Sequence, residues 1–345
     1  MREAGSTLQE HSRRKTPHGS ASGAGAPQNA ETSTVTARAS GHGAFPCRHA
    51  WLPRAYQALD KDDTALADDA AAMVALGLGK NMVMALRFWI DVMRVAAPRD
   101  GRRFELTPFA RQVLDPQSGF DPYLEDIRTL WLLHWNLASH VEAPILAWQF
   151  LLFRWQVPEI CPSDVVTQIL AENSRRPRPL SRVTVEQNVD IFLHSYVASA
   201  RRTAAALEDG LDCPLADLDL VQEFGERRLG TAGRTEMTYA FRRERKSEIS
   251  DALFAYCLAD FWNVRHRAEK TLTFRDVALA EGSLGQVFKL PEDDLRERLE
   301  RLADVTDGAF KYAASAAKPM VVRGAERTSK QFLKAVYSDA ERRDA

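Results

Sequence analysis

Cysteine is scarce in this sequence and badly spaced for metal or redox chemistry. The 345 residues hold four, Cys47, Cys161, Cys213 and Cys257. No two form a CxxC pair, which speaks against a zinc ribbon and a dithiol redox motif. Dispersed, unpaired cysteines suit a reducing cytosol. Long apolar runs are also missing. The most apolar stretch, residues 145–157, is interrupted by Gln149, Arg154 and Gln156 and is too short to span a bilayer. The first residues lack the apolar core of a secretory signal. A soluble cytoplasmic protein with no membrane contact is therefore the expectation. An excess of charge is absent too: 46 Lys and Arg stand against 47 Asp and Glu, a formal net charge of −1. Any nucleic-acid footprint must then be local. There is no P-loop, no GxGxxG following a strand and no HNH nuclease spacing.

What is present is ordinary globular composition, 45% hydrophobic and 27% charged, in a chain long enough for two or three domains. Residues 1–40 are rich in small and polar types and poor in large apolar ones. Such a segment cannot offset its ordering entropy and reads as a disordered leader. Residues 41–118 then give a first helix from near Leu52, an acidic loop, and a short helix from Asp68 to Leu76. A Gly77-Leu78-Gly79 turn follows, then a long helix over residues 80–97. Asp100-Gly101 between extended segments signals a hairpin, and residues 108–114 read as a further short helix. This is the order of a winged helix-turn-helix.

Residues 119–205 read as a helical, tryptophan-rich middle region. Asp121-Pro122 looks like a helix N-cap followed by proline at the first position. Thr184 to Gln187 fits a capping box, with Gln in place of Glu. Residues 206–323 read as a C-terminal winged-helix-like domain. It has a strand at Met237–Phe241, an apolar helix near Leu253 to Trp262, a helix from Glu292 to Val305 and a closing hairpin. Residues 324–345 read as a charged, frayed tail. The fold class is α+β, mainly helical.

On the helix from Lys80, residues Val83, Leu86, Ile90 and Met93 share one face at 3.6 residues per turn. Lys80, Arg87, Asp91 and Arg94 fall on a narrow stripe beside it. Lys80 and Asn81 stand at the N-terminal end, where a recognition helix meets base edges. Arg99, Arg102 and Arg103 flank the hairpin tip, suited to phosphate or the minor groove. Six basic residues against Asp91 and Asp100 make this segment stand out in a chain so nearly neutral. Double-stranded DNA is the expected partner. A winged helix used for protein contact, with a merely solvated basic face, is the competing reading. The helix from Glu292 differs: Glu292, Asp293, Asp294, Glu297, Glu300 and Asp304 would repel phosphates, so it reads as structural or as a partner-docking surface.

A second basic cluster includes Arg227, Arg228, Arg234, Arg242, Arg243, Arg245 and Lys246, with Tyr239 and Phe241 just before its densest part. Basic residues beside aromatics can hold a nucleic-acid backbone; a solvated loop explains them equally well. Among candidates for chemistry, Asp121, Glu125 and Asp126 are carboxylates of the kind Mg²⁺ needs, but helix capping accounts for them better. His134 between Trp131 and Trp135 reads as a satisfied core histidine, and Trp131, Trp135, Trp148 and Trp155 as core between helices. Cys213 reads as a small buried apolar residue.

The strings GHGAFPCRHAWLPRAY, ALGLGKNMVMALRFW, LTPFARQVLDPQSGFDPYLEDIRTLWLLHW and EGSLGQVFKLPEDDL resemble a bacterial family classed as a domain of unknown function. The resemblance covers residues 41–323. It implies a place beside sulfur-activating enzymes of the PAPS-reductase type in DNA phosphorothioation and anti-phage gene clusters. One branch of the family resembles the nickase component of the single-stranded phosphorothioation system, Ssp. If the chain is an enzyme, the resemblance makes it a metal-dependent DNA nickase using Mg²⁺ or Mn²⁺. It assigns no catalytic or metal-ligating residue. A transcriptional regulator of such a cluster, and a scaffold linking DNA to an ATPase or sulfur-transfer enzyme, stay open beside it.

Overall fold

The structure is a computed structural model that describes residues 37–139, 144–175, 177–198, 213–229, 234–315, 318–324 and 327–341. The bulk of the expected leader, residues 1–36, lies outside them. Its last residues do not behave as a leader: Ala37 is buried, and Arg38 bridges to Ile145. Arg38 N–H donates to the Pro144 carbonyl at 2.7 Å, and its guanidinium meets Asp91 at 2.6 Å. Packing therefore begins before Gly41.

The fold is mixed α+β and about 52% helical. Its first elements are helices α1 (Trp51–Lys61), α2 (Asp69–Leu76) and α3 (Lys80–Val92). A small hairpin follows, β1 (Ala96–Pro98) with β2 (Phe104–Leu106), and then helix α4 (Pro108–Val113). Thr107 caps α4 through its hydroxyl, with proline at the helix start. The helix expected over residues 80–97 stops at Val92 because Arg94 takes a left-handed φ of 55° and the chain turns into β1.

The middle region holds α5 (Ile127–Ala138), α6 (Leu146–Gln149), β3 (Glu159–Ile160), α7 (Pro162–Asn173) and α8 (Arg182–Tyr196). Two expectations shift here. Asp121 caps no helix; its carboxylate accepts the N–H groups of Glu125 and Asp126 in a loop, and Asp126 caps α5. Helix α8 starts ahead of the Thr184 capping box, because the Ser181 hydroxyl already accepts the Thr184 N–H. Strand β3 was not evident in the sequence. It joins β4 (Val221–Leu229) and β5 (Arg234–Phe241) in an antiparallel sheet of order β3-β5-β4.

The C-terminal part runs α9 (Asp251–Arg265), β6 (Thr271–Thr273), α10 (Phe274–Leu279), α11 (Leu284–Val287), α12 (Glu292–Val305), β7 (Phe310–Ala313) and β8 (Met320–Arg323). The strands form a second antiparallel sheet of order β6-β8-β7. The tail expected to fray is instead a helix, α13 (Ser329–Glu341). Its Phe332, Leu333, Val336 and Tyr337 are buried, and it packs against α9. The apolar pairs recur at helical spacing under a charged outer face, and burial of that stripe holds the helix down.

Helix α5 lies at the centre, with every residue from Thr129 to Ala138 buried. Most of its polar side chains are paired there, the Trp131 indole N–H being the exception. Thr129 meets the Tyr337 hydroxyl at 2.8 Å, and Asn136 donates to the Met93 carbonyl at 3.1 Å. The Trp135 indole donates to Asp260 at 2.8 Å. His134 bonds the Tyr196 hydroxyl at 2.7 Å and the Val287 carbonyl at 3.0 Å, while the Trp148 indole donates to the same hydroxyl at 2.8 Å. With a carbonyl at Nε2, the neutral ring carries its proton there and Nδ1 accepts from Tyr196.

Burial lowers the pKa of His134 to about 4. Unfolded, the ring titrates near ~6.5. Between these values the unfolded chain binds the extra proton, so the contribution to stability is whole above 6.5 and is lost as pH falls toward 4. The wild type should lose about 2–4 kcal/mol from this group over that window. His134→Gln, less stable at pH 7, should show a flatter decline by denaturant titration from pH 7 to 4. Equal slopes in the two proteins would show that this ring is not held neutral.

Candidate nucleic-acid interface

The turn between α2 and α3 is built from its end residues. The Asp68 carboxylate opens α2 by accepting the Ala71 N–H at 2.8 Å. Gly77 closes it at φ +65°, a conformation that residues with a Cβ adopt reluctantly. Leu78 is buried beneath the turn. Gly79 then enters α3 with extended backbone and open space around it, and no side chain caps α3. The two helices meet at 89° across this three-residue break.

The exposed part of α3 is its N-terminal end, Lys80, Asn81 and Met84. The rest of the helix buries Val83, Ala85, Leu86, Phe88, Trp89, Ile90 and Val92. In the hairpin tip, Arg99 N–H donates to the Arg103 carbonyl at 2.8 Å, and Arg102 sits at φ +62°. Arg102 and Arg103 are exposed. The Asp69 carboxyl is held below its usual range, first by its bond to Arg87, with further pull from Arg102 and Lys80.

The seven residues expected at this face divide by partner. Arg87 is half-buried; its guanidinium donates to the Leu66 carbonyl at 2.8 Å and to Asp69 at 2.6 Å. Arg94 reaches Asp260 at 3.0 and 3.2 Å and Ser139 at 3.2 Å, tying the end of α3 to α9 and α5. Arg99 donates to Glu105 at 2.6 Å within the hairpin. Among the described residues, Lys80, Arg102 and Arg103 enter no ion pair, and Asn81 is exposed beside them. Sequence spacing placed Arg87 and Arg94 on the stripe but not their partners, because Asp260 lies 166 residues away from Arg94.

The second cluster is largely consumed internally. Arg227 is held by Asp164 at 2.6 and 2.8 Å and by Glu236 at 3.0 Å. Arg242 donates to the Leu218 carbonyl at 3.0 Å and pairs with Glu248; Arg245 meets Glu297 at 2.7 Å. Lys246 is no surface cation. It is fully buried, with its ammonium donating to the carbonyls of Arg242 at 2.7 Å and Glu244 at 3.1 Å. Burial, aided by the nearby Arg242 charge, lowers its pKa to about 8. Phe241 is buried as well, so it offers no stacking face at the surface. Arg228, Arg234 and Arg243 stay exposed.

No group of three or more His, Cys, Asp or Glu among the described residues is placed to hold a metal ion. Asp121 and Asp126 use their carboxylates on backbone N–H groups, and Asp126 also on Arg128. They do not fit a Mg²⁺ site. All four cysteines are buried, and none forms a disulfide. No single helix among the described residues is long and apolar enough to cross a membrane.

These features define a mainly helical α+β protein that presents a right-angled helix pair beside an arginine-tipped hairpin. The chain belongs to the DUF4007 family of proteins of unknown function, whose model matches residues 39–337. It is similar in fold to two crystal structures of SspB, one of them magnesium ion-bound, each 22% identical with a TM-score of 0.69. Each alignment covers 88% of this chain; it spans 95% of the magnesium-bound SspB chain and 86% of the other. No curated protein matches the chain.

The split between paired and unpaired cations predicts a split in stability. Arg87→Ala and Arg94→Ala each strand a partly buried carboxylate and should cost about 1–3 kcal/mol in urea unfolding. Lys80→Ala and Arg103→Ala should stay within about 0.5 kcal/mol of wild type. Equal costs for the two groups would contradict the assignment of structural and free cations.

Proposed function

We propose that α1, α2, α3 and the β1–β2 hairpin form a winged helix-turn-helix that binds double-stranded DNA. The observation that carries this reading is the set of exposed cations outside any ion pair among the described residues, Lys80, Arg102 and Arg103, beside an uncapped helix start and a helix pair crossing at 89°. Helix-turn-helix units join their helices at about 90–120° through a short, often Gly-containing turn. The N-terminal end of α3 enters the major groove, with Lys80 and Asn81 at base edges and Met84 able to meet a thymine methyl. Free N–H groups at that end add attraction for phosphate. Arg102 and Arg103 on the wing, with Arg99 behind them, contact the backbone or minor groove. Arg87 and Arg94 set the angle of the reading helix rather than touching DNA.

The sequence resemblance and the SspB-like fold support reading the chain as the DNA-recognition component of a bacterial phosphorothioation or anti-phage system. The proposal is one of recognition, and no cutting step is assigned to any residue. Supercoiled plasmid with Mg²⁺ or Mn²⁺ separates the alternatives, since only a nicking component yields open circles. The scaffold reading draws on α12, whose Glu292, Asp293, Glu300 and Asp304 are exposed. On that reading this acidic face docks a basic surface of an ATPase or sulfur-transfer protein.

Fluorescence anisotropy on duplex DNA at several salt concentrations tests the interface. Lys80→Ala, Arg102→Gly and Arg103→Ala should each flatten the slope of log K against log salt by about one unit. Glycine suits the left-handed position of Arg102, so that variant removes charge without strain. Asn81→Ala should weaken one preferred sequence by about 1–3 kcal/mol relative to others. A folded triple variant of Lys80, Arg102 and Arg103 with unchanged affinity and slope would overturn the reading.

A further inference from the structure

Away from α3, helices α10 and α11 and the start of α12 enclose a cavity of about 490 Å³. That is within the ~300–1,000 Å³ range of small-molecule sites. Three cationic residues line it: Arg243 and Arg275, both exposed, and Lys289, which is buried. Among the described residues neither arginine enters an ion pair. The one acid in the wall, Glu292, is engaged by Arg296 at 2.9 Å. The wall therefore carries three cationic side chains against one carboxylate, itself already engaged by Arg296, in a chain whose net charge is −1.

Lys289 is the unusual member. It is 4% exposed, and its backbone takes a left-handed φ of 52°, where residues with a Cβ are strained. Its ammonium donates to the Leu152 carbonyl and lies 4.6 Å over the Phe241 ring. Burial and the neighbouring Arg243 charge lower its pKa to about 7. Burial, left-handed backbone and like-charge repulsion all disfavour a lysine here, and packing alone would be better served by an apolar side chain. The Leu152 carbonyl and the Phe241 ring hold the ammonium, and an anion bound beside Arg243 would offset the repulsion between the two cations.

The remaining lining restricts the anion. Phe274, with Arg296 stacked 4.5 Å over its ring, and Leu295 give an apolar wall. A bare inorganic anion would leave that wall unfilled. Gln286, whose amide nitrogen donates to the Ala278 carbonyl at 3.5 Å, adds an amide oxygen that can accept from a heterocycle edge. Paired arginines suit phosphate, whose oxygens accept from the planar guanidinium fork.

We propose that this cavity binds a nucleoside phosphate, the base against Phe274, Leu295 and Gln286 and the phosphate among Arg243, Arg275 and Lys289. A free nucleotide and a nucleotide at the end of a DNA strand present the same chemistry. The site is separate from the α3 interface, so each can fail without the other.

Isothermal titration of the full chain with ATP, AMP, dAMP, inorganic phosphate and a short 5′-phosphorylated single strand tests it. Saturable binding of a nucleotide at least tenfold tighter than phosphate is expected. Binding of the strand with no binding of free nucleotides also supports the site and assigns its ligand to DNA. An Arg243→Glu/Arg275→Glu variant, changed only at exposed positions, should weaken that binding at least tenfold while duplex affinity through α3 is unchanged. Phe274→Ala should lose nucleotide affinity and keep any phosphate affinity. No saturable binding by any probe at millimolar concentration would overturn the proposal. So would nucleotide binding no tighter than phosphate, or binding unmoved by the double variant.

Discussion

Helix α5 is enclosed by protein along its length, and all of its buried polar side chains except the Trp131 indole find partners inside the fold. Each such partner comes from a different part of the chain: Tyr337 from α13, Asp260 from α9, Met93 from the end of α3, Tyr196 from α8 and Val287 from α11. A mispacked neighbour would leave a buried donor or acceptor unpaired, at a cost of about 1–3 kcal/mol each. The buried network therefore fixes how the surrounding helices are placed, beyond what apolar burial alone specifies. Asp260 illustrates the coupling. It holds the Trp135 indole of α5 and the Arg94 guanidinium at the end of α3, so the two helices share one carboxylate.

Charge follows the same economy. The chain is nearly neutral, and many of its arginines are spent on carboxylates or carbonyls within the fold. Arg87, Arg94, Arg227, Arg242 and Arg245 are all committed in this way. Against that background, cations outside any ion pair among the described residues are the ones proposed to meet an external anion. Lys80, Arg102 and Arg103 form one such group, and Arg243 and Arg275 at the cavity form another. Local sequence counts treat paired and unpaired arginines alike; the distinction exists only in the folded chain.

The parts of the fold legible in the sequence were those with local signals. Asp68, Gly77, the Asp100-Gly101 dipeptide and Thr107-Pro108 bound α2, the hairpin and α4, and the elements fall where those residues put them. Helix α12 and the β7–β8 hairpin were legible for the same reason. Misreadings arose where long-range contacts decide. The segment of α13 reads as charged, yet Phe332, Leu333, Val336 and Tyr337 find α9. Strand β3 is two residues long and exists only through its pairing with β5. Lys246 looks like part of a surface patch because its neighbours are arginines, but backbone carbonyls from three residues enclose its ammonium. The candidate DNA face was legible in its residue types. The division of those residues into ion-paired and unpaired side chains was not.

Amide hydrogen exchange of the free protein against its complex with duplex DNA tests the DNA face most directly, because it maps contact without altering a residue. Slowed exchange should be confined to the start of α3, the preceding glycine turn and the hairpin tip between Arg99 and Arg103. The amides of α5 should be unchanged. Protection centred on residues 227–246 instead, or no protection at α3 under saturating DNA, would contradict the account.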